Sequence, residues 1–148
     1  MRRIAVLFLT LALAASNVTA KPLKPLTQGG SWDVSGARMA DVTCDGRPDI
    51  IMTGHAGKTL LVSVVPGGRK NRAFDFSFGI DSGRQDAVCA LPVHIVTEKL
   101  TCEDDEYGHL EGCRPMRRCM MFAVADGLCD SLWFYWNAKA RRIDWYRH

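Results

Sequence analysis

Thr59-Leu60-Leu61-Val62-Ser63-Val64-Val65, closed by Pro66-Gly67-Gly68, and Phe74-Asp75-Phe76-Ser77-Phe78 just beyond it decide the fold class. The first run is β-branched and apolar, the composition of a buried strand. The second alternates aromatic and polar residues, the period-2 mark of a strand with one wet face. Proline and glycine between them close the first strand in a turn. The same punctuation recurs in both directions. Upstream, residues 32–40 and 49–53 read as strands, the second joined to 58–65 through Gly54-His55-Ala56-Gly57. Downstream, 88–98 is a strand candidate interrupted by Pro92, a residue confined to edges and bulges because it has no N–H to give. Residues 101–112 form a polar loop between Cys102 and Cys113, and 118–124, 131–136 and 142–147 return to strand pattern. No stretch of ten residues keeps a 3.6-residue apolar period. The expected fold is therefore all-β, a twisted antiparallel meander or small sandwich.

The N-terminus has the three parts of a secretory signal in order. Arg2 and Arg3 give the positive region, 4–15 is apolar apart from Thr10, and Val18-Thr19-Ala20 offers small residues for cleavage. The apolar run is shorter than the roughly 20 residues a membrane-spanning helix needs. Residues 1–20 are read as a signal peptide, 21–30 as a Pro- and Gly-bearing leader, and 31–148 as one β domain. Export places the protein in the periplasm or outside the cell. The net charge of +3 falls to +1 without Arg2 and Arg3, a balance that argues against a nucleic-acid partner.

Six cysteines follow: Cys44, Cys89, Cys102, Cys113, Cys119 and Cys129. An even number in a small exported domain implies three disulfides, with fifteen connectivities open. Zinc is the alternative, but it favours close C-x-x-C pairs, and none occurs.

One motif carries chemistry. In Asp41-Val42-Thr43-Cys44-Asp45-Gly46-Arg47-Pro48-Asp49, oxygen-bearing side chains fall at loop positions 1, 3, 5 and 9, with glycine at 6. Alternate positions of a tight loop converge, and the glycine permits the turn that brings the Arg47 carbonyl to the same centre. Asp41, Thr43, Asp45, the Arg47 carbonyl and Asp49 are thus candidate ligands of Ca2+, a hard cation that prefers oxygen. Position 12 is Met52 rather than the Glu of an EF-hand. The bland alternative is a loop in which Asp and Gly merely build turns.

This stretch resembles the calcium loop of FG-GAP repeats, in which D-x-[DN]-x-D-G-x-x-D runs directly into a strand, here Asp49-Ile50-Ile51-Met52-Thr53-Gly54. Thr43 departs from that pattern, and the loop occurs once. The tail 129–137 and 143–147, dense in Trp133, Tyr135, Trp136, Trp145 and Tyr146, is read first as core. It also resembles the ending of bacterial periplasmic proteins that carry a single FG-GAP-like loop. Some of these act as immunity proteins or inhibitors of lysozyme-like peptidoglycan hydrolases. The resemblance implies a calcium-binding inhibitor whose partner is such a hydrolase.

Asp104, Asp105, Glu106 and Tyr107, in the densest charge run, are the candidate partner-binding residues, although such runs are often only solvated. None of His55, His94, His109 and His148 neighbours a nucleophile, and no G-x-S-x-G, H-E-x-x-H or phosphate-cradling loop occurs. A binding protein is expected, not an enzyme. A calcium-dependent glycan or surface-binding module is the first rival, which the aromatic tail would serve, and a small carboxylate-based hydrolase the second.

Overall fold

The computed structural model describes residues 30–68, 73–81 and 83–148. The signal peptide and all of the leader but Gly30 lie outside the described residues. The strands are β1 (Ser31–Ala40), β2 (Asp49–Ala56), β3 (Thr59–Val65), β4 (Phe74–Ile80), β5 (Ala87–Val88), β6 (His94–Lys99), β7 (Glu103–Asp104), β8 (Gly108–His109), β9 (Met120–Ala125), β10 (Leu132–Asn137) and β11 (Arg142–Arg147). No helix occurs among the described residues, and none is therefore long and apolar enough to cross a membrane.

Two sheets carry the fold. The first runs β1-β2-β3-β4-β5, an antiparallel meander to which the two-residue β5 adds in parallel. The second runs β11-β10-β9-β6, antiparallel throughout. The expected strand over 88–98 is two short ones in different sheets. Leu91–Pro92 is a cis peptide at the crossing between them.

Alternation decides what each sheet buries. Leu60, Val62 and Val64 stand in register with Phe78, Phe76 and Phe74, and all six belong to the main core or pack on it. From the second sheet Phe122, Val124, Leu132, Phe134 and Ile143 meet them. Phe134 is fully buried; it stacks on Phe122 at 4.5 Å between ring centroids and takes Phe76 and Phe78 edge-on at 5.2 and 5.8 Å. Such aromatic pairs each add about 0.5–1.5 kcal/mol beyond their burial. The outer face of the second sheet is covered too. Residues 100–119 fold over it and bury Leu100, Leu110, Met121 and Tyr135 in a second cluster with Cys102, Cys113 and Cys119.

The disulfides are Cys44–Cys119, Cys89–Cys129 and Cys102–Cys113, and no cysteine is free. The first joins the two sheets through the loop before β2 and the loop before β9. The last closes the base of the β7–β8 hairpin. Gly112 seats that region on the β10–β11 turn: its φ of 68° is left-handed, and a side chain there would run into Asn137.

Asp126 fastens the β9–β10 turn to the chain around Cys89. Its carboxylate accepts the N–H groups of Leu128 and Cys129 at 2.8 Å each, and those of Cys89 and Ala90 from the far side. Burial acts to raise its pKa, but these four donors outweigh it and hold the carboxyl below its ordinary value. The stability it contributes is present above the unfolded value near 3.8 and lost as pH falls through the lower folded value. Asp126→Asn, which turns an NH2 toward two of the donors, should cost about 2–3 kcal/mol at neutral pH. The loss should shrink in denaturant titrations run in acid. An equal loss at pH 7 and pH 2 would contradict this role.

Candidate functional site

The 41–49 loop closes on its own backbone. Asp49 is fully buried, and its carboxylate accepts four hydrogen bonds: from the N–H of Val42 (2.9 Å), Thr43 (2.8 Å) and Gly67 (3.0 Å), and from the Thr43 hydroxyl (3.3 Å). A carboxylate offers about four acceptor sites, so this one is filled. Asp41 accepts the N–H of Asp45 (3.0 Å) and of Gly46 (2.9 Å), and Asp45 accepts the N–H of Arg47 (2.9 Å). Burial raises the Asp41 pKa, and the charges of Asp49 and Asp45 add to the rise against the N–H donors.

Calcium fits this donor set in part. Asp49 is spent on the backbone and on the Thr43 hydroxyl, whose O–H donates to it. Asp41 and Asp45, which line one open cavity, keep acceptor capacity, and Arg47 is exposed. Among the described residues, the one group of three potential ligands with donor atoms within 4.8 Å of one another is Cys89, Asp126 and Cys129. Its sulfurs are joined to each other, so it is a braced turn rather than a metal centre.

The acidic residues of the β7–β8 hairpin divide into two kinds. Asp104 turns inward: its side chain is 8% exposed, accepts the N–H groups of Glu106 and Tyr107 at 2.9 Å each, and lies 3.9 Å from His148. Burial pushes its pKa up. The Tyr107 and Glu106 donors, the His148 charge and the Tyr146 hydroxyl outweigh burial and leave it low. The Tyr146 hydroxyl is pushed far up by burial and by the facing Asp104 charge. Asp105, Glu106 and Tyr107 remain exposed, Tyr107 resting edge-on against Tyr146 at 5.7 Å. Glu103 faces His109 at 2.8 Å.

Behind the hairpin lies a concave pocket of about 220 Å3. Its walls carry Glu98, Glu103, Asp104 and Asp105, with Trp133, Tyr146 and His148. Reading along the chain finds the hairpin carboxylates, names Trp133 and Tyr146 only within the aromatic tail, and misses Glu98. These come from β6, β10 and β11, and only the sheet's outer-face alternation could have grouped them. Glu106 and Tyr107 flank the pocket without lining it. A larger opening of about 400 Å3 between β1, β2 and residues 91–93 has one carboxylate, Asp33, already held by Ser35 and Gly36. The chemistry of the acidic pocket is that of a receptor for a cation: carboxylates supply charge, and aromatic rings supply faces that attract ammonium or guanidinium groups.

Compared with known proteins, the chain matches no family model, and neither a curated protein nor a solved structure matches it.

The loop geometry separates brace from surface. Asp49→Ala would leave the buried Thr43 N–H without its acceptor, and take one acceptor from Val42, which keeps the Ala40 carbonyl, and from the exposed Gly67; it should cost about 2–3 kcal/mol, with or without calcium. Asp45→Ala releases one exposed N–H to water and should cost about 0.5–1 kcal/mol in chelator. Urea titration of both variants checks the asymmetry, and equal losses would refute it.

Proposed function

We propose that this chain is an exported, non-catalytic β domain that captures a basic protein in its acidic, aromatic-walled pocket. The partner in this reading is a lysozyme-like peptidoglycan hydrolase, which the domain inhibits. The observation that carries the binding half is the convergence of four carboxylates and two aromatic rings behind a disulfide-clamped hairpin. A lysine or arginine entering it would gain ion pairs and a cation–π contact while leaving a site already ordered, so little entropy is lost on binding. Hydrolases that approach anionic cell-wall polymer through a cationic surface offer such side chains. Carboxylates on the inhibitor would speed their encounter. The hydrolase itself is chosen on the resemblance of the C-terminal tail and the single FG-GAP-like loop.

Calcium is an accessory in this reading. Asp41, Asp45 and the Arg47 carbonyl would hold the ion, and Asp49 with Thr43 would keep the loop in shape around it. Asp41 and Asp45 line one open cavity, and a cation between them would offset their like charge. A neutral sugar is the weaker rival for the pocket, because it has no need of four carboxylates.

Two outcomes are expected. Glu98→Gln, Glu103→Gln and Asp105→Asn together should weaken the complex with a cationic lysozyme-type enzyme about tenfold and flatten its dependence on salt, as read by calorimetry at two ionic strengths. Undiminished peptidoglycan clearing across a panel of such enzymes, with intact domain present, would remove the inhibitor reading. Calcium should raise the melting temperature by mass action, and Asp45→Ala should abolish that increment. Identical melting in calcium and in chelator would remove the ion from the proposal.

A further inference from the structure

Strand register gathers four polar side chains at one end of the molecule. Across β1 and β2, Ser31 stands opposite His55 and Asp33 opposite Thr53. Partners in an antiparallel pair share a face, with Cβ atoms about 4.5–5.5 Å apart, and so do residues two apart on one strand. His55 and Thr53 pair onward with Leu60 and Val62 of the main core, so all four face the inner side of the first sheet. They line the opening of about 400 Å3 together with the fully buried Leu60, and Leu91, Pro92 and Val93 stand across from them. One wall is polar and the other apolar. No residue of this opening lines the acidic pocket.

Two of the polar groups are unspent. Thr53 is 4% exposed, and its hydroxyl has no hydrogen-bond partner among the described residues. It is not sealed from solvent either, since the one fully covered and unpartnered side-chain N or O among those residues is Trp32 Nε1. The Thr53 hydroxyl therefore opens on the cavity, as donor and acceptor for what occupies it. Asp33 accepts the Ser35 hydroxyl and the Gly36 N–H at 2.6 and 2.9 Å, both on Oδ1. Its Oδ2 has no hydrogen-bond partner among the described residues, and Asp33 belongs to none of their ion pairs. The back of this wall is packed. A side chain at Gly54 would stand 3.0 Å from Cδ2 and Cε3 of the Trp32 indole, which lies across it on the other face.

We propose that this opening binds an α-ammonium acyl group with an apolar side chain, the chemistry shared by the amino end of a peptide and a free apolar amino acid. The ammonium pairs with Asp33 Oδ2, and the adjacent carbonyl accepts from the Thr53 hydroxyl. The side chain lies against Leu60, Leu91, Pro92 and Val93, in a cavity whose volume falls in the range of small-ligand sites. A purely apolar molecule would leave the carboxylate and the hydroxyl unmet, and a sugar would leave the apolar wall unmet. A cation without an apolar part is better served by the four carboxylates of the acidic pocket. A free amino acid brings its own carboxylate toward Asp33, whereas a peptide has a neutral amide at that place. The amino end of a peptide is therefore the better occupant.

The probes are Leu-Gly-Gly, Val-Gly-Gly and Phe-Gly-Gly, each with a free amine and in its N-acetyl form, beside Gly-Gly-Gly and L-leucine. Calorimetry on the mature, oxidised domain gives the affinities, and backbone amide NMR shifts locate the bound peptide. The free-amine peptides should bind about tenfold more tightly than their acetylated forms and than Gly-Gly-Gly, and the amides of Asp33, His55 and Val93 should move. Asp33→Asn, which keeps Oδ1 for the turn to Ser35 and Gly36, should weaken binding about tenfold. Thr53→Val, which keeps the shape and removes the hydroxyl, should weaken it about fivefold. Both variants should melt as the wild type does. The triple acidic-pocket variant described above should bind these peptides undiminished, which separates this site from the proposed hydrolase contact. Tighter binding of L-leucine than of Leu-Gly-Gly would overturn the peptide as occupant in favour of a free amino acid. Equal affinity for acetylated and free peptides, shifts confined to the acidic pocket, or no binding of any probe would overturn the site itself.

Discussion

A single buried carboxylate sets the geometry on which most of the surface depends. A charge with no access to water must be saturated by hydrogen bonds, or its desolvation outweighs what it contributes. Asp49 meets that condition by drawing donors from the residues that follow β1 and from the turn after β3, so three separate stretches are held to one point. Two residues further on, Ile51 is buried in the main core, which ties the loop to the packing of the first sheet. The loop in turn presents Cys44 to Cys119, and its Asp41 carbonyl accepts the N–H of Met120 at the start of β9. At this end of the molecule the second sheet is joined to the first through one covalent and one backbone bond; Cys89–Cys129 and Asp126 join them again at the other turns, and the aromatic core fills the space between.

A domain of this size has limited apolar surface to bury, and the chain divides the burden between aromatic packing and cross-links. Phe134 and its ring neighbours fill the space between the sheets. The disulfides lie outside that main core: Cys102, Cys113 and Cys119 are buried in the second cluster, and Cys89–Cys129 joins two turns. Each bridge lowers the entropy of the unfolded chain by about 2–4 kcal/mol in free-energy terms, more for longer loops. Cys44–Cys119 spans 75 residues and Cys89–Cys129 spans 40, so the long-range bridges do most of this. Cys102–Cys113 closes 11 residues, and its larger consequence is local: it fixes the base of the hairpin that frames the acidic pocket.

The strands were legible because alternation and turn residues act locally. Asp75 and Ser77 are exposed while Phe78 is buried, as the period-2 pattern of 74–78 requires, and Leu60, Val62 and Val64 share one buried face. Pro92 marked an interruption in 88–98, but which sheet each half joins depends on partners distant in the chain. Disulfide pairing was open for the same reason. The loop at 41–49 shows a subtler limit. Its aspartates at positions 1, 5 and 9 are chemically alike, and spacing does not say that Asp49 is fully buried while Asp45 faces water. Asp104 and Asp105 differ in the same way. The pocket wall from Glu98, Trp133 and Tyr146 could be assembled only after three strands had been set side by side.

Residues 100–119 place carboxylates before Cys113 and arginines after it; Cys102–Cys113 closes the acidic hairpin on itself, and Cys44–Cys119 ties the far end of the segment to the loop before β2. A flexible segment of that composition would fold its charges onto one another and cancel them. A rigid one keeps them apart and exposed, with Asp105 and Glu106 before Cys113 and Arg114, Arg117 and Arg118 after it. In the binding role proposed above, such an arrangement would discriminate by orientation. A partner with the matching arrangement of charge gains at both poles, while one that matches a single pole brings like charges together at the other and is rejected. Specificity of this kind needs no deep cavity and no catalytic group. It needs fixed spacing, and the Asp49 hydrogen bonds and the disulfides at Cys113 and Cys119 fix the backbone that carries these charges.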